Sequence, residues 1–461
     1  MKRQTIESIA KFAGASIHGS YQEPVFVNSI SIDTRTIHDG DIYVPIIGEN
    51  LDGHIFIEEA FQKGALACFC DEAHFPEFQY LTKPILVVKD TLEGFQQLAK
   101  NYRASLETMI IGITGSNGKT TTKDVINSVL KQKFKTKKTI GNLNNGIGVP
   151  RTLLELDEDT DIGIIEMGMD RFGEISKLAD LAHPQIAAIT NIGHSHLDQL
   201  KTKENVAKAK LEILEQMTEK DLFLYNYDDP VLRSEVEKLD IRPETITFGK
   251  DEGADYVLSL KRSDAGGNRF SLNGKNWSLN LIGPFQMYNA AVAIIIGDRL
   301  GLTDQQIQAG LTVKDQTAMR TQLISCQGFD ILNDTYKSNP QSLKEALETT
   351  SLLAGYRQKI AILGDMLELG EDSIDLHREA GRLIDPEIFD YVLFYGELSQ
   401  RMMEGALEKF PPNRLFHFLS KPNLVDKAKY LISKNSLVLV KASRSMRLEE
   451  IIESIQTITA I

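Results

Sequence analysis

Cysteine is scarce in this chain of 461 residues: Cys68, Cys70 and Cys326 are all it has. Three thiols cannot staple a chain of this length, and their spacing is not that of a zinc site. They read as buried thiols of a reducing compartment, so a cytoplasmic location is expected. Long apolar runs are missing too. The opening stretch MKRQTIESIAKFAG lacks the apolar centre of a secretion signal, and no segment approaches the ~20 apolar residues of a membrane helix. Membrane insertion is therefore not expected. Basic surplus is absent as well: 51 Lys and Arg against 64 Asp and Glu leave a formal charge of −13, which argues against broad binding to nucleic acid. What remains, 42% hydrophobic and 25% charged residues without low-complexity stretches, is a globular composition. At roughly 150 residues per unit it predicts about three domains. No extended exposed apolar face is evident in the pattern, so a monomer is expected.

The first ~105 residues alternate short strand patterns (25–34, 41–48 and 84–88) with helical ones around Ile57–Lys63 and Leu92–Ala104. The pattern changes at Thr108. The apolar run 109–115 leads through a glycine turn into TTTKDVINSVLKQ, whose Val125, Ile126, Val129 and Leu130 form one helical stripe. Further buried-strand patterns follow at 161–168, 185–193 and 221–226, separated by helical stretches such as 204–217. This alternation predicts a mostly parallel sheet with helices on both faces. Turn chemistry at Gly266-Gly267 and Asn273-Gly274 predicts a small antiparallel annex over 256–281. From about residue 313 a third α/β unit begins, with strands near 329–333, 359–364, 390–395 and 436–441.

The strand, loop and helix around Gly112-Ile-Thr-Gly-Ser-Asn-Gly-Lys-Thr-Thr-Thr-Lys123 form a phosphate loop. Small residues let Gly115, Ser116, Asn117 and Gly118 turn backbone N–H groups inward, and the helix adds its positive end. Lys119 reaches the terminal phosphates, and the Thr120 hydroxyl is placed to ligate Mg²⁺. The commoner glycine five residues before Gly118 is replaced by Ile113. Glu166 ends the strand 161–168 and His196 follows the strand 185–193, both at the carboxyl ends where parallel sheets bind ligands. A carboxylate and an imidazole there could hold Mg²⁺, although Mg²⁺ prefers oxygen.

The run Thr-Gly-Ser-Asn-Gly-Lys-Thr-Thr-Thr resembles the ATP loop of the Mur ligases, amide-bond-forming enzymes of peptidoglycan precursor synthesis. Five other stretches match the same family: Ser31-Ile-Asp33-Thr34-Arg35 with Asp52-Gly53-His54, Asn142-Leu-Asn144-Asn145-Gly, Asn333-Asp334-Thr-Tyr336-Lys-Ser-Asn339-Pro340, Leu363-Gly364-Asp365-Met366-Leu-Glu368-Leu-Gly370 with His377-Arg378-Glu379, and Val440-Lys441-Ala-Ser443-Arg444. The resemblance spans about residues 31–448 and implies an α/β chain of three domains. These are a small N-terminal UDP-MurNAc-binding domain (1–107), a central P-loop domain with a mostly parallel sheet that binds ATP (108–312), and a C-terminal Rossmann-like domain (313–461). It implies an ATP-dependent ligase that joins D-alanyl-D-alanine to UDP-MurNAc-tripeptide through an acyl phosphate, with ATP and Mg²⁺ as cofactors. A relative adding another amino acid or peptide is the alternative, and a phosphate-loop regulator without ligase chemistry is the reading from outside the enzymes.

By the same resemblance, Lys119, Lys210, His196 and Arg320 are catalytic. Thr121, Asn289, Arg320 and Asp334 join the loop residues in binding the nucleotide. The substrate falls to Thr34, Arg35, Asp52, His54, Asn142, Asn144, Asn145, Tyr336 and Asn339. Metal ligation falls to Thr120, Glu166, His196 and, once carbamylated, Lys210. Two positions depart from the family pattern. Lys337-Ser338 follow Tyr336 where an asparagine and a small residue are usual, and His194 precedes Ser195-His196 where an acidic or neutral residue is expected.

Overall fold

The strand Met109–Thr114 lies at the centre of the computed structural model, which describes residues 4–21, 24–313 and 317–458. Its Ile110, Ile111 and Ile113 are wholly buried, as β-branched residues covered on both faces of a sheet must be. Ile162–Glu166 and Ile186–Ile189 flank it in parallel. The sheet continues on one side to Thr136–Lys138 and on the other through Leu222–Asn226 and Glu244–Gly249, still parallel. The strands Tyr256–Asp264, Gly267–Leu272 and Lys275–Leu279 then form a meander. It is not a separate annex: Tyr256 pairs in parallel with Phe248, and all nine strands make one sheet. Burial explains the difference, because Leu258, Phe270, Trp277 and Leu279 join Ile111 and Ile113 in one core beneath the helix Gln286–Arg299.

The N-terminal strands are shorter than their patterns. The run 25–34 splits into Phe26–Val27 and Ile30–Ser31, which enter different sheets. It ends where the Asp33 carboxylate accepts from Arg35 N and starts the 3-10 turn Thr34–Thr36. In 41–48 only Ile42–Tyr43 is strand, because Pro45 has no N–H to continue the ladder. The five-stranded sheet runs Ser16–His18, Ile85–Val88, Ala67–Asp71, Ile42–Tyr43, Ile30–Ser31, with the first pair antiparallel. Ala67–Asp71 carries Cys68 and Cys70, both fully buried, while Cys326 is half-buried. Burial pushes the Cys70 thiol up to about 12.

The helix Thr91–Ala104 is fused to the middle unit rather than leading away from the first. Its Tyr102 hydroxyl donates to Leu156 O (2.6 Å), Lys100 pairs with Asp180 (2.7 Å), and Leu98 shares one core with Leu153 and Leu178. Six strands build the third unit, in the order Gln322–Ser325, Phe329–Asp334, Ser436–Lys441, Gln358–Gly364, Tyr391–Tyr395, Leu415–Phe418. Only the first pair is antiparallel. A separate apolar core packs on each face of this sheet. No helix among the described residues is long and apolar enough to cross a membrane.

Candidate active site

The central strand delivers its chain directly into the phosphate loop. Gly115 has φ 146° and Gly118 φ 80°, values that L side chains rarely adopt. Space is also closed to a side chain, since a Cβ at Gly115 would lie 1.9 Å from Thr190 Oγ1 and one at Gly118 2.7 Å from Asn289 Oδ1. The loop is clamped from the neighbouring strand end. Ser116 N and Asn117 N donate to the backbone and side-chain oxygens of Asn191 (both 2.9 Å), Thr190 Oγ1 donates to Asn117 O (2.5 Å), and Gly193 N donates to Ser116 Oγ (2.8 Å). The helix Lys119–Leu130 starts without a side-chain cap, so its first N–H groups stay available to an anion.

Lys119 opens that helix and folds back to donate to Gly115 O (2.7 Å). Burial pulls its pKa down to about 8; the Lys337 ammonium adds to the shift and Glu166 opposes it. One residue on, Thr120 Oγ1 donates to Glu166 Oε2 (2.8 Å) and accepts from Arg320 Nη2 (2.8 Å). The other Glu166 oxygen accepts from Asn144 Nδ2 (2.9 Å), and Lys123 Nζ lies 3.6 Å from Oε2. A hydroxyl and a carboxylate so close together are hard oxygen donors, the set that suits Mg²⁺. Arg320 arrives from the third unit because Thr317 lands on the same helix: its N and Oγ1 donate to Asp124 Oδ2 (3.0 and 2.7 Å). The guanidinium carbon also lies over the Tyr336 ring, 3.9 Å from the centroid.

A cavity of about 760 Å³ gathers most of the expected residues: Ser116, Asn117, Gly118, Lys119, Thr120, Thr121, Asn142, Asn144, Asn145, Glu166, His196, Arg320, Asp334 and Tyr336. Gly115 lies behind it. Asn289 borders a second cavity of about 420 Å³ that shares Asn117 and Gly118, and there its Oδ1 accepts from Thr122 Oγ1 (2.9 Å). Asn339 is buried against the loop, with Nδ2 donating to Asn117 Oδ1 (2.8 Å) and Ser195 Oγ (3.3 Å). Asp334 is held by Lys441 Nζ (2.6 Å) and Thr321 N (3.1 Å). His194 lines neither cavity.

Lys210 is 1% exposed, on the buried face of the helix Lys203–Leu211. Among the described residues its ammonium makes no hydrogen bond or ion pair; Lys119 and Lys337 repel it, and Asp170 attracts it from a distance. Burial, the largest influence, holds its pKa well below the ordinary lysine value. His196, in the left-handed region at φ 57°, places Nδ1 2.9 Å from Asp170 Oδ1 and Nε2 3.2 Å from Lys337 Nζ.

The four expected residues of the first unit border neither cavity. Thr34 Oγ1 donates to Glu59 (3.3 Å), and the exposed Arg35 is forked onto Asp33. Asp52 and His54 belong to a cluster with Asp71 and His74. His54 Nδ1 meets Asp52 Oδ1 (2.7 Å), and its Nε2 lies 3.3 Å from Asp71 N. His74 faces carboxylates with both nitrogens, Asp71 at 2.8 Å and Asp52 at 3.1 Å. Their rings stack at 4.2 Å with only 12° between planes. Ring lone pairs lie in the ring plane, so two near-parallel rings cannot converge on one metal ion. The Asp71 hydrogen bond raises the His74 pKa above its model-compound value of 6.5. A raised folded pKa stabilises fully below about pH 6.5, and that stability is lost as pH rises through the folded value. The melting midpoint is therefore expected to drop between pH 6 and 8.5 more in the parent protein than in His74→Asn; equal drops would refute the bridge.

The sequence assigns no role to Lys123, Asp170, Glu368 or Lys441; of these, Glu368 and Lys441 lie in stretches that match the family, and Lys123 stands one helical turn after Lys119. With this geometry in place, the comparisons are specific. The Mur ligase middle domain profile matches residues 113–297, the "Mur ligase, glutamate ligase domain" residues 319–444, and the "Mur ligase family, catalytic domain" residues 26–103. A Bacillus subtilis (strain 168) protein named UDP-N-acetylmuramoyl-tripeptide--D-alanyl-D-alanine ligase is 38% identical over 460 residues, covering 99% of both chains. The chain belongs to the Mur ligase family. The Escherichia coli (strain K12) Mur ligase of the same name is 29% identical over 98% of both chains. Among solved Mur ligases, MurF from Acinetobacter baumannii aligns with TM-score 0.88 at 25% identity over 99% of both chains. MurF ligase from Thermotoga maritima in complex with ADP aligns at 0.81 and 27% identity, over 93% of this chain and 97% of that one.

Proposed function

We propose that this Mur ligase joins D-alanyl-D-alanine to UDP-MurNAc-tripeptide at the expense of ATP, giving UDP-MurNAc-pentapeptide, ADP and phosphate, in the cytoplasm and as a monomer. The observation that carries the reading is the meeting of two units at Thr120, where Glu166 of the middle unit and Arg320 of the third both bond one hydroxyl of the phosphate-loop helix. In the reaction the γ-phosphoryl group passes to the terminal carboxylate of the tripeptide and ADP leaves. The amine of D-alanyl-D-alanine then attacks the acyl carbon, and phosphate departs. Positioning and charge neutralisation carry such a transfer, with no enzyme nucleophile.

Each residue then has a task. Backbone N–H groups of 115–121 and Lys119 hold the phosphates, and Arg320, aimed by the Tyr336 ring, neutralises charge on them. Thr120 and Glu166 hold Mg²⁺, which when bound screens the phosphate charge. Asn289 and its cavity take the base, and Asp334 the ribose. Asn142, Asn144 and Asn145 meet the peptide end of the substrate, with Tyr336 and Asn339 on the side of the third unit. Thr34 and Arg35 meet the UDP end, while Asp52 and His54 shape their loop. Lys210 completes the metal set once it is a carbamate, a form that a buried neutral amine reaches by attack on CO₂ with loss of one proton; His196, expected as a further ligand, has its Nε2 lone pair taken by Lys337 Nζ (3.2 Å). The proposed boundaries are 1–107, 108–312 and 313–461; residues 314–316 lie outside the described residues.

Mass spectrometry of reactions with ATP, Mg²⁺, D-alanyl-D-alanine and either the lysine or the diaminopimelate tripeptide tests the reading. A pentapeptide product that needs every component is expected. ATP turnover with another amine, and none with D-alanyl-D-alanine, would overturn it.

A further inference from the structure

Lys337 links the third unit to the middle one inside the large cavity. Its Nζ lies 3.2 Å from His196 Nε2 and 3.5 Å from Glu368 Oε2. An ammonium only donates, so His196 Nε2 accepts and Nδ1 gives its proton to Asp170. The backbone is braced as well. Lys441, 1% exposed, donates to Lys337 O (2.8 Å) and to Asp334 Oδ2 (2.6 Å). A long, flexible side chain is thus fixed at both ends, at a cost in rotamer entropy.

The direction of that side chain is informative. A surface lysine pairing with Glu368 would gain little and would not be aimed at other cations. Lys337 lines the cavity together with Lys119, Thr120 and Arg320, and its head is about one-third exposed there. It also repels the Lys119 ammonium more strongly than Arg320 does, and both ammonium groups line the same cavity. Such an arrangement is favourable only with an anion between them, and Lys119 already marks the phosphate end of the cavity.

We propose that the Lys337 ammonium contacts the γ-phosphoryl group opposite Lys119, as a further catalytic residue of the transfer, with His196, Asp170 and Glu368 as the positioning residues that aim it. This rests on the ATP-dependent reading above. During transfer Lys337 forms no covalent bond; it offsets the charge that builds on the phosphoryl oxygens. Because the group is carried by the third unit, phosphoryl transfer requires that unit to be docked.

Calorimetry on the full chain with Mg²⁺ separates the possibilities. The imido analogue of ATP and ADP are each titrated into the parent protein, Lys337→Met and Lys337→Arg. Lys337→Met is expected to lose at least tenfold in affinity for the analogue and less than twofold for ADP, with Lys337→Arg recovering part of the loss. Unchanged ADP affinity also reports a folded chain. Equal losses for both nucleotides, or no loss, would overturn the proposal. For the positioning residues, His196→Asn keeps a side-chain acceptor and is expected to lose less of the analogue's advantage over ADP than His196→Ala; the reverse order would remove His196 from the proposal. These affinities do not depend on which amine is joined, so the product analysis can fail without them and they without it.

Discussion

Lys119→Met is expected to cut ligation about 1,000-fold and leave the melting midpoint unchanged or slightly higher. The two effects have one cause. The ammonium is half-buried and its pKa is pulled down to about 8, with a backbone carbonyl, Gly115 O, as its bonded acceptor. Removing that charge relieves desolvation in the folded protein, whereas in the reaction it removes a preorganised donor, worth about 100- to 1,000-fold by itself. The phosphates also lose a cation in their bound state, so affinity for the imido analogue of ATP falls alongside the rate. Steady-state phosphate release and a thermal melt on the same preparation check both. Retention of a tenth of the parent rate would remove Lys119 from the transfer.

Lys210→Met separates stability from activity more sharply. A buried amine with no bonded partner among the described residues burdens the fold, and methionine fills similar volume without that polar head. The melting midpoint is expected to rise by about 1–3 °C. Ligation is expected to fall by at least about 100-fold, because the carbamate proposed for this side chain supplies charge that methionine cannot. With ¹³C-labelled bicarbonate, the parent protein is expected to show a carbamate carbon resonance that the variant lacks. A variant both less stable and fully active would refute the assignment.

The phosphate loop was legible because its constraints are local: glycines at positive φ, a lysine and a threonine, all within six residues. The strands around it were legible for a similar reason, being runs such as 109–114 and 436–441 covered on both faces. Ala67–Asp71 was not, since its sequence ACFCD has no β-branched residue to mark it as strand. Nor could local pattern attach the meander to the main sheet, because that join depends on Phe270 and Trp277 reaching a core shared with a distant helix. In the site, the residues that hold others escaped. Asp170 and Glu368 matter only through His196 and Lys337, and no spacing encodes a contact across 141 residues. The resemblance marked Asp52 and His54 for the substrate, whereas their hydrogen bonds to each other and to the elements around Asp71 and His74 were visible only in three dimensions.

Asn339 has two occupations. Its Oδ1 accepts from Ser342 N (2.9 Å) and so begins the helix Pro340–Leu352, while its Nδ2 donates to the phosphate-loop residue Asn117. An amide spans the seam, one end committed to each side. Parting the two sides of the seam would break the Asn117 bond, at about 1 kcal/mol for a hydrogen bond of this kind. That is roughly a fivefold bias toward the joined seam, set by one side chain. The ease with which the third unit can part from the phosphate loop is thereby tied to the same residue that starts the helix behind it.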